Sequence, residues 1–347
     1  MENLVIGQTL LGYCEIMNKL IDKFGRQITY LRISITEHCN FKCFYCRDDE
    51  HIPNCKREDI LSYEDIQKIV RIFSELGISK VRLTGGEPLL RRGIVKIANL
   101  ISSIPGITDM PLSTNAQLLE KFAPKLYANG VNRVNISIDS LIPARFKEIT
   151  RGGNVHEVIN GIDAAIKAGM HPIKINAVAM RGINDDEIES LIDFAIKKGI
   201  DIRFIETMPI GAAGIKSFTQ HMSEKDILAR IEKHLKGRLT PIIPSQTDGP
   251  ASNYKINNTN SSVGVISAVS NHFCQACNRI RLTAKGELIL CLGQEDSISL
   301  KDAVRSDLSD NEIKQLIVNA INKKPEKHEF NSSIDNISNR QMVEIGG

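Results

Sequence analysis

Six of the eight cysteines in this chain fall into two trios whose spacing suits metal–sulfur chemistry. Cys39, Cys43 and Cys46 stand at C-x3-C-x2-C spacing, and Cys274, Cys277 and Cys291 at C-x2-C-x13-C. Soft thiolates in groups hold zinc or iron–sulfur clusters. Three ligands suit a [4Fe–4S] cube whose fourth iron is left without a protein ligand and can take a small chelating molecule. A structural zinc site closes its shell with four protein ligands. It would have to recruit His38 or a distant residue for the first trio and His272 for the second. Buried thiols with no metal are the plain alternative. Cys14 and Cys55 stand apart from both trios and read as incidental.

Other residues could handle the ligands of such clusters. Leu83-Thr84-Gly85-Gly86-Glu87-Pro88 places two glycines, which let backbone approach a ligand closely, beside a carboxylate able to receive an ammonium. Next to the second trio, Arg279 and Arg281 share one face of a strand-like segment, and guanidinium forks suit phosphate and carboxylate oxygens. With Arg32, Arg82 and Lys174 they supply five positive charges, which favours a polyanionic small molecule such as a triphosphate. There is no Walker loop, so a P-loop NTPase is excluded.

These residues need elements to position them. From residue 30 to about 208, strand-like segments (30–36, 80–84, 110–114, 133–138, 172–179, 202–207) alternate with amphipathic stretches such as 63–76, 116–129, 155–168 and 185–198. That alternation predicts a parallel sheet with helical crossovers, wound as a partial (β/α)6 TIM-type barrel or as a doubly wound sheet. Parallel strands covered on both faces usually read as continuous apolar runs. Here Arg32, Ser34 and Thr36 alternate with Leu31, Ile33 and Ile35, and Asn135, Ser137 and Asp139 alternate with Val134, Ile136 and Ile138. One face of each strand is therefore polar, and such an interior is costly unless a polar ligand fills it. Helix-like segments at 224–235 and 310–321 and short strands within 263–292 complete the reading.

Composition is that of a soluble globular protein. Apolar residues make up 42% and charged residues 24%, with no apolar run long enough to span a bilayer and no signal-peptide pattern. A net charge of +3 is too small to argue for nucleic acid. Clustered cysteines read as metal ligands of a cytoplasmic protein, not as a disulfide framework. The expected organisation is an extension at 1–16 preceding Met17, a barrel at 17–235, and a region at 236–347 that carries the second cluster, closes the barrel mouth and ends in a flexible Gly-Gly tail.

The first trio, with Tyr45 just before its third cysteine, resembles the radical S-adenosylmethionine superfamily. The wider set resembles the GTP 3′,8-cyclase family, which begins molybdenum cofactor biosynthesis. That set includes Phe24-Gly25-Arg26, Tyr30-Leu-Arg-Ile-Ser34, Leu83-Thr-Gly-Gly-Glu-Pro88, Asn135-Ile-Ser-Ile-Asp139, Glu206-Thr-Met-Pro-Ile210, Cys274-Gln-Ala-Cys-Asn-Arg-Ile-Arg281 and the terminal Gly346-Gly347. The resemblance implies two [4Fe–4S] clusters and S-adenosyl-L-methionine as cofactors. One cluster would cleave S-adenosylmethionine to a 5′-deoxyadenosyl radical that removes the ribose 3′ hydrogen of GTP; the other would hold guanine at its open iron. It further implies a cofactor site formed by Tyr45, Gly85, Gly86, Glu87, Ser137 and Met208, and a GTP site formed by Arg32, Arg82, Ser113, Lys174, Arg279, Ile280 and Arg281. Arg279, Arg281, Gly346 and Gly347 would take part in catalysis. The implied partners are a flavodoxin or ferredoxin as electron donor and cyclic pyranopterin monophosphate synthase downstream, with no nucleic acid or membrane and a monomeric or homodimeric state. Two positions depart from the family pattern: Arg47-Asp48 replaces Met-Pro after the third cysteine, and Ala116 replaces the glycine of Thr-Asn-Gly. A peptide-modifying radical enzyme and an iron–sulfur electron carrier are the competing functions.

Overall fold

The computed structural model describes residues 19–48, 56, 58–243, 249–271, 273–328, 330 and 340–346. Residues 1–16, Cys14, Cys55, His272 and Gly347 lie outside that set, and so do the expectations attached to them.

One sheet of twelve strands organises the chain. Its centre is β1 (Tyr30–Ser34), β2 (Lys80–Thr84), β3 (Leu112–Thr114), β4 (Val134–Ser137), β5 (Ile173–Ala179) and β6 (Asp201–Glu206), adjacent in chain order and all parallel. A doubly wound sheet would reverse its strand order partway. This one does not, so the six central strands have the winding of a partial barrel. Later strands extend both ends. β9 (Ser262–Ile266) lies parallel to β6 and is followed outward by β8 (Ala251–Ile256) and β7 (Leu239–Pro241); β10 (Arg279–Leu282) lies parallel to β1 and is followed by β11 (Glu287–Ile289) and β12 (Ser297–Ser299). The region after residue 235 thus supplies strands to the sheet itself.

Helices cover the apolar face. α1 (Tyr63–Glu75), α2 (Ile94–Ser102), α3 (Leu119–Ala128), α4 (Pro143–Thr150), α5 (Val155–Lys167) and α6 (Ile188–Lys198) lie between the central strands, followed by α7 (Gly211–Ser217), α8 (Glu224–Leu235), α9 (Leu300–Arg305) and α10 (Asp310–Ile321). Their starts follow local chemistry. Ser62 and Ser309 each accept from the third helical amide, while Asp65 and Glu312 reach back to complete capping boxes. Ile66, Ile69, Val70 and Phe73 of α1 recur at helical spacing and are buried against the sheet. Leu31, Ile33, Val81, Leu83, Ile280 and Leu282 meet them from the strands in one continuous core. The buried carboxylate of Glu206, at the end of β6, accepts from the amides of Glu224, Val269 and Ser270 and so ties the barrel to the following segments.

Candidate active site

Register turns the polar alternation into rows. Arg32 on β1 is level with Arg82 on β2 and Arg281 on β10, and Tyr30 is level with Lys80 and Arg279. Further along, Ser137, Asn176 and Arg203 share a row, as do Ser113, Asn135, Lys174 and Asp201. The first two rows face a cavity of about 350 Å³, lined also by Ser113, Ser137, Met208 and Ile280. Both cysteine trios open on this same cavity.

The first trio follows β1. All three thiols are unbridged, and Cys39 Sγ accepts from Phe41 N at 3.4 Å and from Asn115 Nδ2 at 3.9 Å. The Gly85-Gly86 turn is pressed onto this loop. Gly86 N donates to Thr36 O at 2.8 Å, and a Cβ at Gly86 would lie 2.4 Å from His38 O, so no side chain fits. Glu87, expected to receive an ammonium, is instead fully buried, with its carboxylate accepting from Thr114 Oγ1, Asn115 N and Leu89 N. Burial raises its pKa to about 7, against those three donors. Its side chain braces the loop, while Gly85 and Gly86 face the cavity. Tyr45 OH donates to Asp139 Oδ2 at 2.6 Å, which anchors the cysteine loop to the end of β4.

The second trio is reached through Arg26. Its guanidinium pairs with Asp22 at 2.6 Å and donates to the carbonyls of Cys274, Pro325 and Glu326 at 2.9, 2.6 and 2.7 Å. One buried cation thus holds the chain before β1 against both segments flanking the trio. Near it, the C-terminal residues enter the cavity wall. Arg32 Nη2 and Thr84 Oγ1 donate to Gly346 O at 2.8 and 3.1 Å, and Arg281 Nη1 donates to Ile345 O at 3.1 Å. Gly346 has φ +80°, and a Cβ there would sit 2.6 Å from Thr84 Cγ2, so this contact requires glycine.

The cavity is cationic beyond what its acids balance. Burial, then repulsion from Arg82 and Arg279 against the pull of Tyr30, brings Arg32 down to about 10. Burial likewise brings Arg203 to about 10. Arg281 is lowered well below the usual guanidinium range by burial and by Arg32 and Arg279. Burial would raise the Tyr30 phenol, but Arg82, Arg32, Arg279 and Lys80 outweigh it and bring it to about 7. Arg203 Nε, Arg279 Nε and Asn176 Oδ1 are buried without a hydrogen-bond partner among the described residues. Such atoms are costly unless a ligand engages them.

Sequence reasoning and structure part company at named residues. Lys174, expected with the arginines, gives its ammonium to Asp201 Oδ2 at 2.6 Å and does not line the cavity. Ile280 borders the cavity, but its side chain belongs to the core. Arg203, Tyr30, Lys80 and Arg133 line the cavity and were not singled out. The alternation Asp201-Ile-Arg203-Phe in β6 carried the signal for Arg203. Arg26 stood in a quoted motif, yet its role depends on carbonyls 248, 299 and 300 residues further along the chain.

Residues 33–195 match the family model of the Radical SAM superfamily, and residues 200–330 match Molybdenum Cofactor Synthesis C. A GTP 3′,8-cyclase of Hydrogenovibrio crunogenus is 49% identical over 94% of this chain and 99% of its own length. The chain belongs to the GTP 3′,8-cyclase family. A second family member, from Syntrophomonas wolfei, is 44% identical over 94% of this chain and 100% of its own length. Among solved structures, Streptococcus suis SuiB bound to S-adenosylmethionine matches with a TM-score of 0.63 at 16% identity, covering 93% of this chain and 73% of that one. Escherichia coli coproporphyrinogen III oxidase, a radical SAM enzyme, matches at 0.51 and 12% identity over 75% of this chain and 66% of that one. These two likenesses support the fold alone.

Membership of the radical SAM superfamily implies a [4Fe–4S] cluster and S-adenosylmethionine, and the first trio fits that cluster. Burial pushes Cys39 up to about 11, Cys46 to about 12, and Cys43 well above its usual range, so the thiolates need a cationic centre to exist at neutral pH. Among the described residues, no group of three or more His, Cys, Asp and Glu side chains could hold a single metal ion. No helix among the described residues is long and apolar enough to cross a membrane.

Proposed function

We propose that this chain converts GTP to (8S)-3′,8-cyclo-7,8-dihydroguanosine 5′-triphosphate, the first step of molybdenum cofactor biosynthesis. The observation that carries this reading is that two cysteine trios open on one cavity, with two arginine-bearing rows beside them. Cys39, Cys43 and Cys46 would hold one [4Fe–4S] cluster, and Cys274, Cys277 and Cys291 a second. When bound, the first supplies the electron that makes S-adenosylmethionine a source of a hydrogen-abstracting radical, and the second offers an iron coordination position to the guanine.

The protein's own work is to bind, orient and exclude water. Arg32, Arg82 and Arg281, level across three adjacent strands, and Arg279 in the next row present guanidinium groups to a triphosphate in a site of low dielectric. Arg203 and Ser113 add donors on the same cavity wall. Gly85, Gly86, Ser137, Met208 and the backbone of Tyr45 form the proposed S-adenosylmethionine site, with Glu87 bracing the glycine turn. Gly346 belongs to the tail that reaches the arginines, and a catalytic part for Gly347 is proposed with it. Lys174, held by Asp201, contributes at most a more distant charge. The proposal places the enzyme in the cytoplasm as a monomer or homodimer, with a flavodoxin or ferredoxin donating electrons and cyclic pyranopterin monophosphate synthase taking the product.

Anaerobic incubation with GTP, S-adenosylmethionine and dithionite, followed by mass and NMR analysis of the nucleotide, tests the activity. About eight irons per chain and no zinc are expected from two cubes. Arg279→Ala and Arg281→Ala should each lower GTP cyclisation by roughly 10- to 100-fold, the worth of one charge-assisted hydrogen bond, while cleavage of S-adenosylmethionine continues. Unchanged cyclisation in both would remove these arginines from the site.

A further inference from the structure

Arg47 directly follows the third cysteine of the first trio and is only 8% exposed. It lines the same cavity as Cys39, Cys43 and Cys46. Its backbone is fixed by the turn that presents the trio, since the amides of Cys46 and Arg47 both donate to Cys43 O, at 2.9 and 3.3 Å. Its guanidinium has no ion pair or side-chain hydrogen bond among the described residues, and the neighbouring acids are occupied elsewhere. Asp48 pairs with Lys216 at 3.4 Å, Glu87 accepts from Thr114, Asn115 and Leu89, and Asp139 accepts from Tyr45 and from Val178 N. A largely buried cation that lines a cavity and has no counter-charge among the described residues favours an anion held in that cavity.

Three thiolates on a four-iron core carry net negative charge, and one-electron reduction deepens it by a further unit. A fixed nearby cation stabilises the reduced form more than the oxidised form, and net charge is among the quantities that set the potential of such clusters. We propose that Arg47 is a positioning charge that raises the reduction potential of the cluster held by Cys39, Cys43 and Cys46. The step concerned is the uptake of one electron by the oxidised cube from a low-potential one-electron donor, with no proton transferred and no bond made. A raised potential lets a weaker donor load the cluster and makes the loaded cluster a weaker reductant. Burial raises the Cys39 and Cys46 thiols, and the charge of Arg47 is among the influences that oppose it, in keeping with its closeness to both.

This inference rests on the ligand assignment of the first trio, and the experiment keeps the two apart. Reconstituted holoprotein is titrated with dithionite and followed by electron paramagnetic resonance. The cluster of interest is the one whose signal changes when S-adenosylmethionine is added. If wild-type protein has no such signal, the ligand assignment fails. If it has one, Arg47→Met and Arg47→Gln should retain wild-type iron and lower the equilibrium constant for reduction at least tenfold, about 59 mV for one electron. Arg47→Lys should keep most of the wild-type value. An unchanged potential in the neutral variants overturns the inference. So does weaker binding of S-adenosylmethionine at unchanged potential, which would make Arg47 a carboxylate ligand. Loss of the cluster from both neutral variants also overturns it, because Arg47 would then serve assembly.

Discussion

Replacing Arg26 with methionine should unfasten the second trio before it unfolds the barrel. The Arg26 side chain is 7% exposed and its partner Asp22 is 0% exposed. Removing one member of a buried pair strands the other, at about 3–5 kcal/mol. The Cys274 carbonyl also loses its donor inside the structure, at about 1–3 kcal/mol. Pro325 and Glu326 are nearer solvent and cost less. These contributions share one side chain and do not add in full, so a net loss of about 4 kcal/mol is expected, a large part of the roughly 5–15 kcal/mol that holds a domain together. The second arm of the test fixes the cause. Asp22 also accepts from the amides of Phe24 and Arg26, at 2.9 and 3.0 Å. Asn can keep those bonds without the stranded charge, so Asp22→Asn added to Arg26→Met should raise stability. The assay is the anaerobic urea midpoint together with iron per chain, which should fall from about eight towards about four as the second cube is lost. A loss below about 1 kcal/mol for Arg26→Met, or a double variant no more stable than the single, would refute the reasoning.

Ala116 has φ +61° and is fully buried, where the family pattern carries glycine. Glycine there relieves about 1–2 kcal/mol of left-handed strain. It gives back about 0.4–1 kcal/mol in unfolded-chain entropy and about 0.8 kcal/mol of buried methyl. Ala116→Gly should therefore melt within about 1 kcal/mol of wild type, whereas Ala116→Val should cost more than about 2 kcal/mol, since a branched residue does not tolerate this conformation; equal melting of the valine variant would count against the strain. For Tyr30, held near 7 against an ordinary value of 10, the folded state favours the phenolate. Its contribution is complete above pH 10 and is lost as pH falls towards 7, so the stability advantage over Tyr30→Phe should grow between pH 7 and pH 10 by a few kcal/mol. A difference that stays flat across that window in urea unfolding would remove the phenolate.

The sequence by itself determined the local features of this protein. Cysteine spacing within each trio, the alternation that makes β1, β2 and β4 two-faced, and the helix segments at 224–235 and 310–321 all depend on neighbours a few residues apart, and the chain encodes them directly. The strand order did not follow from periodicity, which is the same for a barrel and a doubly wound sheet; the unreversed sequence of neighbours from β1 through β6 decided it. Tertiary structure likewise decided which charges act. Arg32, Arg82 and Arg281 read as equals of Lys174, but strand pairing places the carboxylate of Asp201 beside Lys174 and turns its ammonium away from the cavity. Glu87 read as a ligand-facing acid, but Thr114 and Asn115 at the end of β3, with Leu89 beside it, surround it with three donors. Arg26 and Arg47 carried no periodic signal because their roles come from burial and, for Arg26, from partners far along the chain. Burial and partnership are set only when distant segments meet, and it is they that separate a working charge from a solvated one.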